Sequence, residues 1–323
     1  MIVDAYLPAA QAQAIALLTR GDLVAIPTET VYGLAADASQ ATAVAKIFAL
    51  KQRPTSNPLI VHIGSMAQLN DWAVHVPHLA YRLAAAFWPG PMTLILKKAP
   101  WVPRCVTAGQ ETIALRIPNH PAALALLKQF NGGVAAPSAN LYTQLSPTTA
   151  QHVEHSLGSE LLILDGGPAQ IGIESTIIDC SSGEVSILRP GMLSAEMIST
   201  VLGQRVNYHA ASEIKRPGSH YLHYAPQADC QLLTHERLAT EWSVMDLATT
   251  GFITYSCDIA WSSAAKVQRL SSHPAEYARD LYRALHHLDQ QRCARILVEL
   301  PPTTVAWYAV HERLHKAAGL SLG

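Results

Sequence analysis

Long apolar runs are missing from this sequence: none reaches the ~20 residues that a membrane helix needs. No Lys or Arg precedes the apolar residues that open the chain, and Asp4, Gln11 and Gln13 interrupt them, so no secretory leader is expected. Charge is scarce, 15% of residues, and nearly balanced at −1, which excludes a whole-chain field for nucleic acid or anionic lipid. Any polyanion must be met by a local patch. The cysteines Cys105, Cys180, Cys230, Cys257 and Cys293 lie far apart and form no C-x-x-C pair. That pattern suits buried thiols in a reducing cytoplasm better than a disulfide framework or a zinc knuckle. Neither a Walker A sequence nor G-x-G-x-x-G occurs, which argues against a P-loop or a standard dinucleotide site. Internal repeats and low-complexity tracts are absent too.

What is present is apolar mass. Hydrophobic residues make up 49% of 323, enough core for one large domain or two. Short apolar or alternating runs predict strands at 23–27, 59–61, 93–97, 112–117, from 134, and at 161–164, 175–180 and 185–188. Helices are expected over 8–19, 39–50, 66–72, 77–87, 121–130 and 194–202, with Ser65 as one N-cap. Another is expected to start at Ser146-Pro147, the serine as N-cap and the proline in the first turn. From Gly203 the regular pattern fails, and 204–228 reads as an interdomain linker rich in aromatic and histidine residues. Beyond it, four strands alternate with three helices, a small α/β layer domain over 229–323.

The chain is organised around Lys51-Gln52-Arg53-Pro54-Thr55-Ser56-Asn57-Pro58-Leu59-Ile60-Val61-His62. Pro54 stops the preceding helix and Leu59–Val61 starts a buried strand, so two cations sit on a stiffened loop. Arg forks onto two oxygens and Lys adds a point charge, which suits an oxyanion such as phosphate. The bland alternative is a solvated helix end. Other loop residues able to meet anions or hydroxyls gather at strand ends: Thr28, Thr30, Asn57, His62, Arg116, Ser138, Asn140, Ser146, Ser175, Thr176 and Arg189. Singly, each Ser or Thr reads as a turn or cap. The strand 112–117 could present Thr112, Ala114 and Arg116 on one face. His311-Glu312-Arg313-Leu314-His315 matches H-E-x-x-H, yet no acidic or histidine ligand follows it. An exposed terminal helix is the better account, and no metal site is expected.

Pro27-Thr28-Glu29-Thr30-Val31-Tyr32-Gly33-Leu34, Lys51-x-Arg53-Pro54 with Asn57-Pro58-Leu59, Phe87-Trp88-Pro89-Gly90-Pro91 and Arg116-x-Pro118 form an ordered set of motifs. Ala136-Pro137-Ser138-Ala139-Asn140 with Ser146-Pro147-Thr148, Glu174-Ser175-Thr176 and Leu188-Arg189-Pro190-Gly191 continue it. Together they resemble the threonylcarbamoyl-AMP synthase family, in its long two-domain form, over essentially the whole chain. The resemblance implies an α/β fold: a YrdC-like twisted-sheet domain (1–203), the linker (204–228) as a lid, and a small Rossmann-like α/β domain (229–323). It implies a cytoplasmic enzyme that joins L-threonine, bicarbonate and ATP, with Mg2+ on the triphosphate, into threonylcarbamoyl-adenylate and pyrophosphate. A partner transferase would then modify a tRNA adenosine next to the anticodon, with at most a weak tRNA contact here. By the same resemblance, Thr30, His62, Arg116, the Ala136 backbone and Ser175 hold threonine. Arg53, Asn57, Thr112, Ser138, Ser146, Arg189 and Tyr224 hold ATP, and Lys51 and Arg53 serve the phosphates.

Two departures stand out. Ser219-His220 and Leu222 replace a Met-Lys pair and an Arg of the family's linker, and Tyr142-Thr143 replaces a frequent Ser-Gly pair, which is expected to stiffen that loop. The competing readings are a non-catalytic RNA-binding module, a carbamoyl-phosphate-dependent adenylating enzyme and, on the H-E-x-x-H match, a zinc peptidase.

Overall fold

The computed structural model describes residues 1–209, 214–217, 224–256 and 265–320. Ser219, His220, Leu222 and His223 of the linker, like Cys257, lie outside them. The chain divides into two compact units. The first comprises 1–142, 147–170 and 174–219, and the second 143–146, 171–173 and 220–323. The division therefore falls inside the stretch read as a linker.

The first unit is built on a sheet of 11 strands. In chain order these are β1 (Ile2–Asp4), β2 (Val24–Ile26), β3 (Gly33–Asp37), β4 (Ile60–His62), β5 (Met92–Lys97), β6 (Thr112–Arg116), β7 (Val134–Ala135), β8 (Leu162–Asp165), β9 (Thr176–Asp179), β10 (Ser186–Arg189) and β11 (Asn207–Tyr208). Across the sheet they run β1-β8-β2-β3-β7-β4-β6-β5-β9-β10-β11. Alternation sends successive residues to opposite faces. Val24 and Ile26 pack with Ala10, Ala14 and Leu18 of the helix Pro8–Thr19 and Leu126 of the helix Pro121–Phe130. Ala25 faces the other way, into the core with Val44 and Ile47 of the helix Ala41–Lys51 and Leu83 of the helix His78–Phe87. Burial of this kind contributes ~25 cal/mol per Å² of apolar surface, the main favourable term for such a sheet. On the first face a separate apolar patch, Ile60, Ile95, Ala114, Ile177 and Leu188, has Ile214 packed against it.

Three local expectations need correcting. Residues 33–37, where no strand is predicted above, form β3 between β2 and β7 with every residue buried, although Gly-Leu-Ala-Ala-Asp has little intrinsic strand preference. The helix expected from Ser146 begins at Ala150, with Thr149 as its cap accepting from His152 N at 3.2 Å. Pro147 and Thr148 stay out of it because their carbonyls are held by Tyr32 N (2.9 Å) and Ala169 N (2.8 Å). Within the supposed irregular stretch, β11 pairs in parallel with β10.

The second unit carries β12 (Asp229–Leu233), β13 (Thr250–Thr254), β14 (Lys266–Arg269) and β15 (Arg295–Glu299), all parallel, in the order β12-β15-β13-β14. The helix Pro274–Gln290 buries Tyr277, Leu281, Leu285 and Leu288 at helical spacing. The terminal helix Tyr308–Ala317 is not the exposed element expected in place of a zinc site: Val310, His311, Glu312, Arg313 and Leu314 are all buried. His311 Nε2 meets Pro302 O at 3.0 Å, and Glu312 pairs with Arg313 and Lys316. The H-E-x-x-H residues are thus engaged in packing the helix. Tyr224 is buried in this unit, its ring 5.3 Å from the Arg313 guanidinium, 5.8 Å from Lys316 Nζ and 5.8 Å from the Tyr282 ring. Such cation–π contacts are worth ~0.5–2 kcal/mol.

Thr143 has φ 69°, in the left-handed region, while its carbonyl accepts from Ala225 N at 3.0 Å. A β-branched residue is strained there. Thr143→Gly is expected to raise stability by about 1 kcal/mol, read as the shift in a urea unfolding midpoint. A midpoint lowered by the substitution would overturn this.

Candidate active site

The strand directions assemble the site. β4 and β6 are parallel and pair His62 with Arg116, so both side chains leave the same sheet edge on the same face. β5 runs antiparallel to β6 and parallel to β9, which brings the start of β9 to the edge where β6 ends. Ser175, just before β9, therefore stands beside that edge, and its hydroxyl lies 2.7 Å from Thr93 Oγ1. β10 returns antiparallel and delivers Arg189 to the same place. The apolar patch around Ile60, Ala114 and Ile177 forms the floor below these groups.

Arg116 is the centre of the polar network, 4% exposed. Its Nε donates to Gly90 O at 3.2 Å and its Nη1 to Thr30 Oγ1 at 2.9 Å. Its Nη2 lies 2.7 Å from Glu29 Oε1. That contact is ionic without hydrogen-bond alignment, since Glu29 Oε1, Glu29 Oε2 and Arg116 Nη2 all lack a hydrogen-bond partner among the described residues. The loop bearing Glu29 and Thr30 is folded by Thr28, whose hydroxyl donates to Val31 O (2.6 Å) and accepts from the Thr30 and Val31 amides. With that proton engaged, the Thr30 hydroxyl donates to Thr28 Oγ1 and accepts from Arg116.

His62 is 3% exposed and its Nδ1 has no hydrogen-bond partner among the described residues. Burial, and then the charge of Arg116, push its pKa down to about 3. It is therefore a neutral imidazole at ordinary pH. The Ala136 amide donates to Ile60 O at 3.0 Å, so any ligand contact from this backbone falls to the carbonyl. Buried donors and acceptors are normally satisfied, and a group of them left open on one face marks where a polar ligand sits.

The anion loop is placed differently from a solvated helix end. Lys51 closes its helix, is 1% exposed, and donates from Nζ to Ser138 O at 2.6 Å and to Asn140 O. Burial, then Arg53, holds its pKa well below the usual lysine value. Lys51 thus ties the 51–58 loop to the 138–142 loop. Arg53, 7% exposed, donates to Pro58 O at 2.9 Å and lies 5.9 Å from the Tyr142 ring centre. Asn57 Nδ2 donates to Tyr142 Oη at 3.0 Å, and Tyr142 N to Lys51 O at 2.8 Å. Arg189 donates from Nε and Nη2 to Ser175 O and from Nη1 to Pro217 O, holding the residues 175 and 217 together. Lys215 exchanges two bonds with the Gln110 side chain, at 3.0 and 2.8 Å.

The structure thus brings together Thr30, His62, Arg116, Ser175 and Arg189 at one sheet edge. A second cluster, tied through Tyr142 and the Ser138 carbonyl, joins Lys51, Arg53, Asn57 and Ser138. Thr112 begins β6, two residues before Ala114 of the floor and on its face. Ser146 and Tyr224 belong to the second unit, where His286 Nε2 meets Ser146 O at 3.1 Å. Sequence reasoning passed over Glu29, Tyr142 and Thr93. Glu29 lay inside a quoted motif, and its carboxylate between two threonines at a strand end was a readable signal. Tyr142 stood out only as a departure from the family's pattern, and Thr93 carried no signal.

Residues 16–191 match the family model described as "Telomere recombination", and residues 193–319 match "Threonylcarbamoyl-AMP synthase, C-terminal domain". The threonylcarbamoyl-AMP synthase of Bacillus subtilis is 40% identical over 326 residues, covering 95% of this chain and 92% of its own length. That of Pyrococcus abyssi is 40% identical over 320 residues, covering 94% and 92%. The fold agrees with a crystal structure of P. abyssi Sua5 complexed with L-threonine: TM-score 0.88, 36% identity, 99% of this chain and 98% of that one. Matched end to end in sequence and in both folded units, the chain belongs to the threonylcarbamoyl-AMP synthase family.

Proposed function

We infer that this protein catalyses the condensation of L-threonine, bicarbonate and ATP to threonylcarbamoyl-adenylate and pyrophosphate. The observation that carries this reading is the cluster of buried, incompletely satisfied polar groups around Arg116 at one sheet edge, in a chain of this family that also carries the two-cation loop. In this reading Arg116 receives the threonine carboxylate, with Thr30, His62, Ser175 and the Ala136 carbonyl around the rest of the amino acid. Arg53, Asn57, Thr112, Ser138 and Arg189 hold ATP, whose Mg2+ enters with the triphosphate. The carbamate oxygen attacks the α-phosphorus in line with departing pyrophosphate, and no side chain becomes a covalent nucleophile. Catalysis is then positioning and charge neutralisation. Arg53 meets the negative charge on the leaving group. Lys51, held on two carbonyls, sets the loop that carries Ser138. The product is handed to a transferase acting on tRNA.

The test is pyrophosphate release from ATP, Mg2+ and bicarbonate, with and without L-threonine. Threonine-dependent release, lost on Arg53→Ala and not reproduced by equimolar serine, is the expected result. No release with any amino acid would sink the proposal.

A further inference from the structure

Resting on that reading, we propose that Glu29 is a catalytic residue of the same site: its carboxylate receives the threonine ammonium and takes a proton from it as the carbamate forms. Glu29 is 3% exposed, a place where a lone carboxylate is costly. Its ion-pair partner among the described contacts is Arg116, at 2.7 Å, and its charge is also felt by His120. Both carboxylate oxygens lack a hydrogen-bond partner among the described residues, as does Arg116 Nη2. Two opposite charges side by side, each with open hydrogen-bonding capacity, form a receptor of zero net charge for a zwitterion. A carboxylate settles on Arg116 and an ammonium on Glu29. A purely structural ion pair has no reason to leave these atoms open, because buried pairs persist when their remaining lone pairs and protons are satisfied. The aligned bond from Arg116 Nη1 goes to Thr30 instead.

The chemistry needs such a group. Threonine's ammonium has no lone pair, and its nitrogen must form a bond to the carbon of bicarbonate. Glu29 takes one N–H proton, the amine attacks that carbon, and the carbon–hydroxyl bond breaks. The proton held on Glu29 passes to the departing hydroxyl, which leaves as water, and a second N–H proton goes to solvent. Ammonium plus bicarbonate thus become carbamate, water and one proton, with charge conserved and no oxidant or reductant. The adjacent neutral His62 leaves Glu29 as the anionic acceptor of the cluster.

The experiment measures calorimetric affinity for L-threonine and for 3-hydroxybutyrate, which is threonine without its amine, together with kcat for pyrophosphate release. The unaltered protein is expected to prefer threonine by about 100-fold or more. Glu29→Gln keeps the size and an oxygen for Arg116 but loses the charge; its preference is expected to fall below about tenfold, and kcat by about 100-fold. Glu29→Asp, which keeps the charge, is expected to retain the preference, and it serves alone if the glutamine variant does not fold. Equal weakening of both ligands in Glu29→Gln would mean that Glu29 acts only by holding Arg116, and would overturn the proposal. So would an unaltered protein that binds both ligands within threefold, or loss of the preference in Glu29→Asp. Absence of threonine binding to the unaltered protein would instead overturn the functional reading on which this one rests.

Discussion

Arg116→Ala is expected to abolish threonine-dependent pyrophosphate release and, at the same time, to destabilise the fold by about 3–5 kcal/mol. The two losses have one origin. Arg116 is buried and holds Glu29, the Thr30 hydroxyl and the Gly90 carbonyl from three nitrogens. Alanine removes the group proposed to receive the threonine carboxylate and strands the Glu29 charge in the interior. The consequences separate in the double variant Arg116→Met, Glu29→Leu. There both charges are gone and the volume is filled, so stability should recover to within roughly 1 kcal/mol of the unaltered protein, while activity stays lost. Urea unfolding and the pyrophosphate assay read the two effects on the same preparations. A double variant as unstable as Arg116→Ala would refute the account of the stranded charge, and an active one would remove Arg116 from the site. Arg116→Lys tests the fork: it keeps the charge but cannot serve three acceptors in one plane, so it should fold and bind threonine poorly.

The second large effect is acid sensitivity carried by His62. Its folded pKa is pushed down to about 3, against an ordinary value of 6.5, by burial and then by Arg116. Below about pH 6.5 the unfolded chain binds a proton that the folded protein refuses. Stability from this group is therefore complete above about pH 6.5 and is lost as pH falls toward about 3. At pH 4 the loss is on the order of 3 kcal/mol, at about 1.4 kcal/mol per pH unit. His62→Gln has no such proton to take up, so its unfolding free energy should vary less between pH 4 and 7 by that amount. Parallel pH dependences for the two proteins would refute the assignment.

Much of the site could be read before any coordinates. In the Lys51-to-His62 stretch Pro54 keeps the helix from continuing and the apolar run Leu59–Val61 opens a strand, and the alternation of β6 put Ala114 and Arg116 on one face. The long ordered motifs pointed to the family through the whole chain. Local pattern determined these features because proline geometry and period-two alternation act within a few residues. The tertiary structure decided the rest. β3 exists because two neighbours pair it from both sides, against its own weak preference. Lys51 reads from the sequence as a phosphate-facing cation on a loop, yet its ammonium is enclosed by carbonyls from residues 138 and 140, far away in the chain. The terminal helix was expected to be exposed, and instead buries Glu312 and Arg313 by pairing them with each other. Pairing across long sequence separations sets burial, and burial sets charge state. Whether Glu29 is a surface carboxylate or a buried, paired one was therefore decided only when β6 delivered Arg116 beside it.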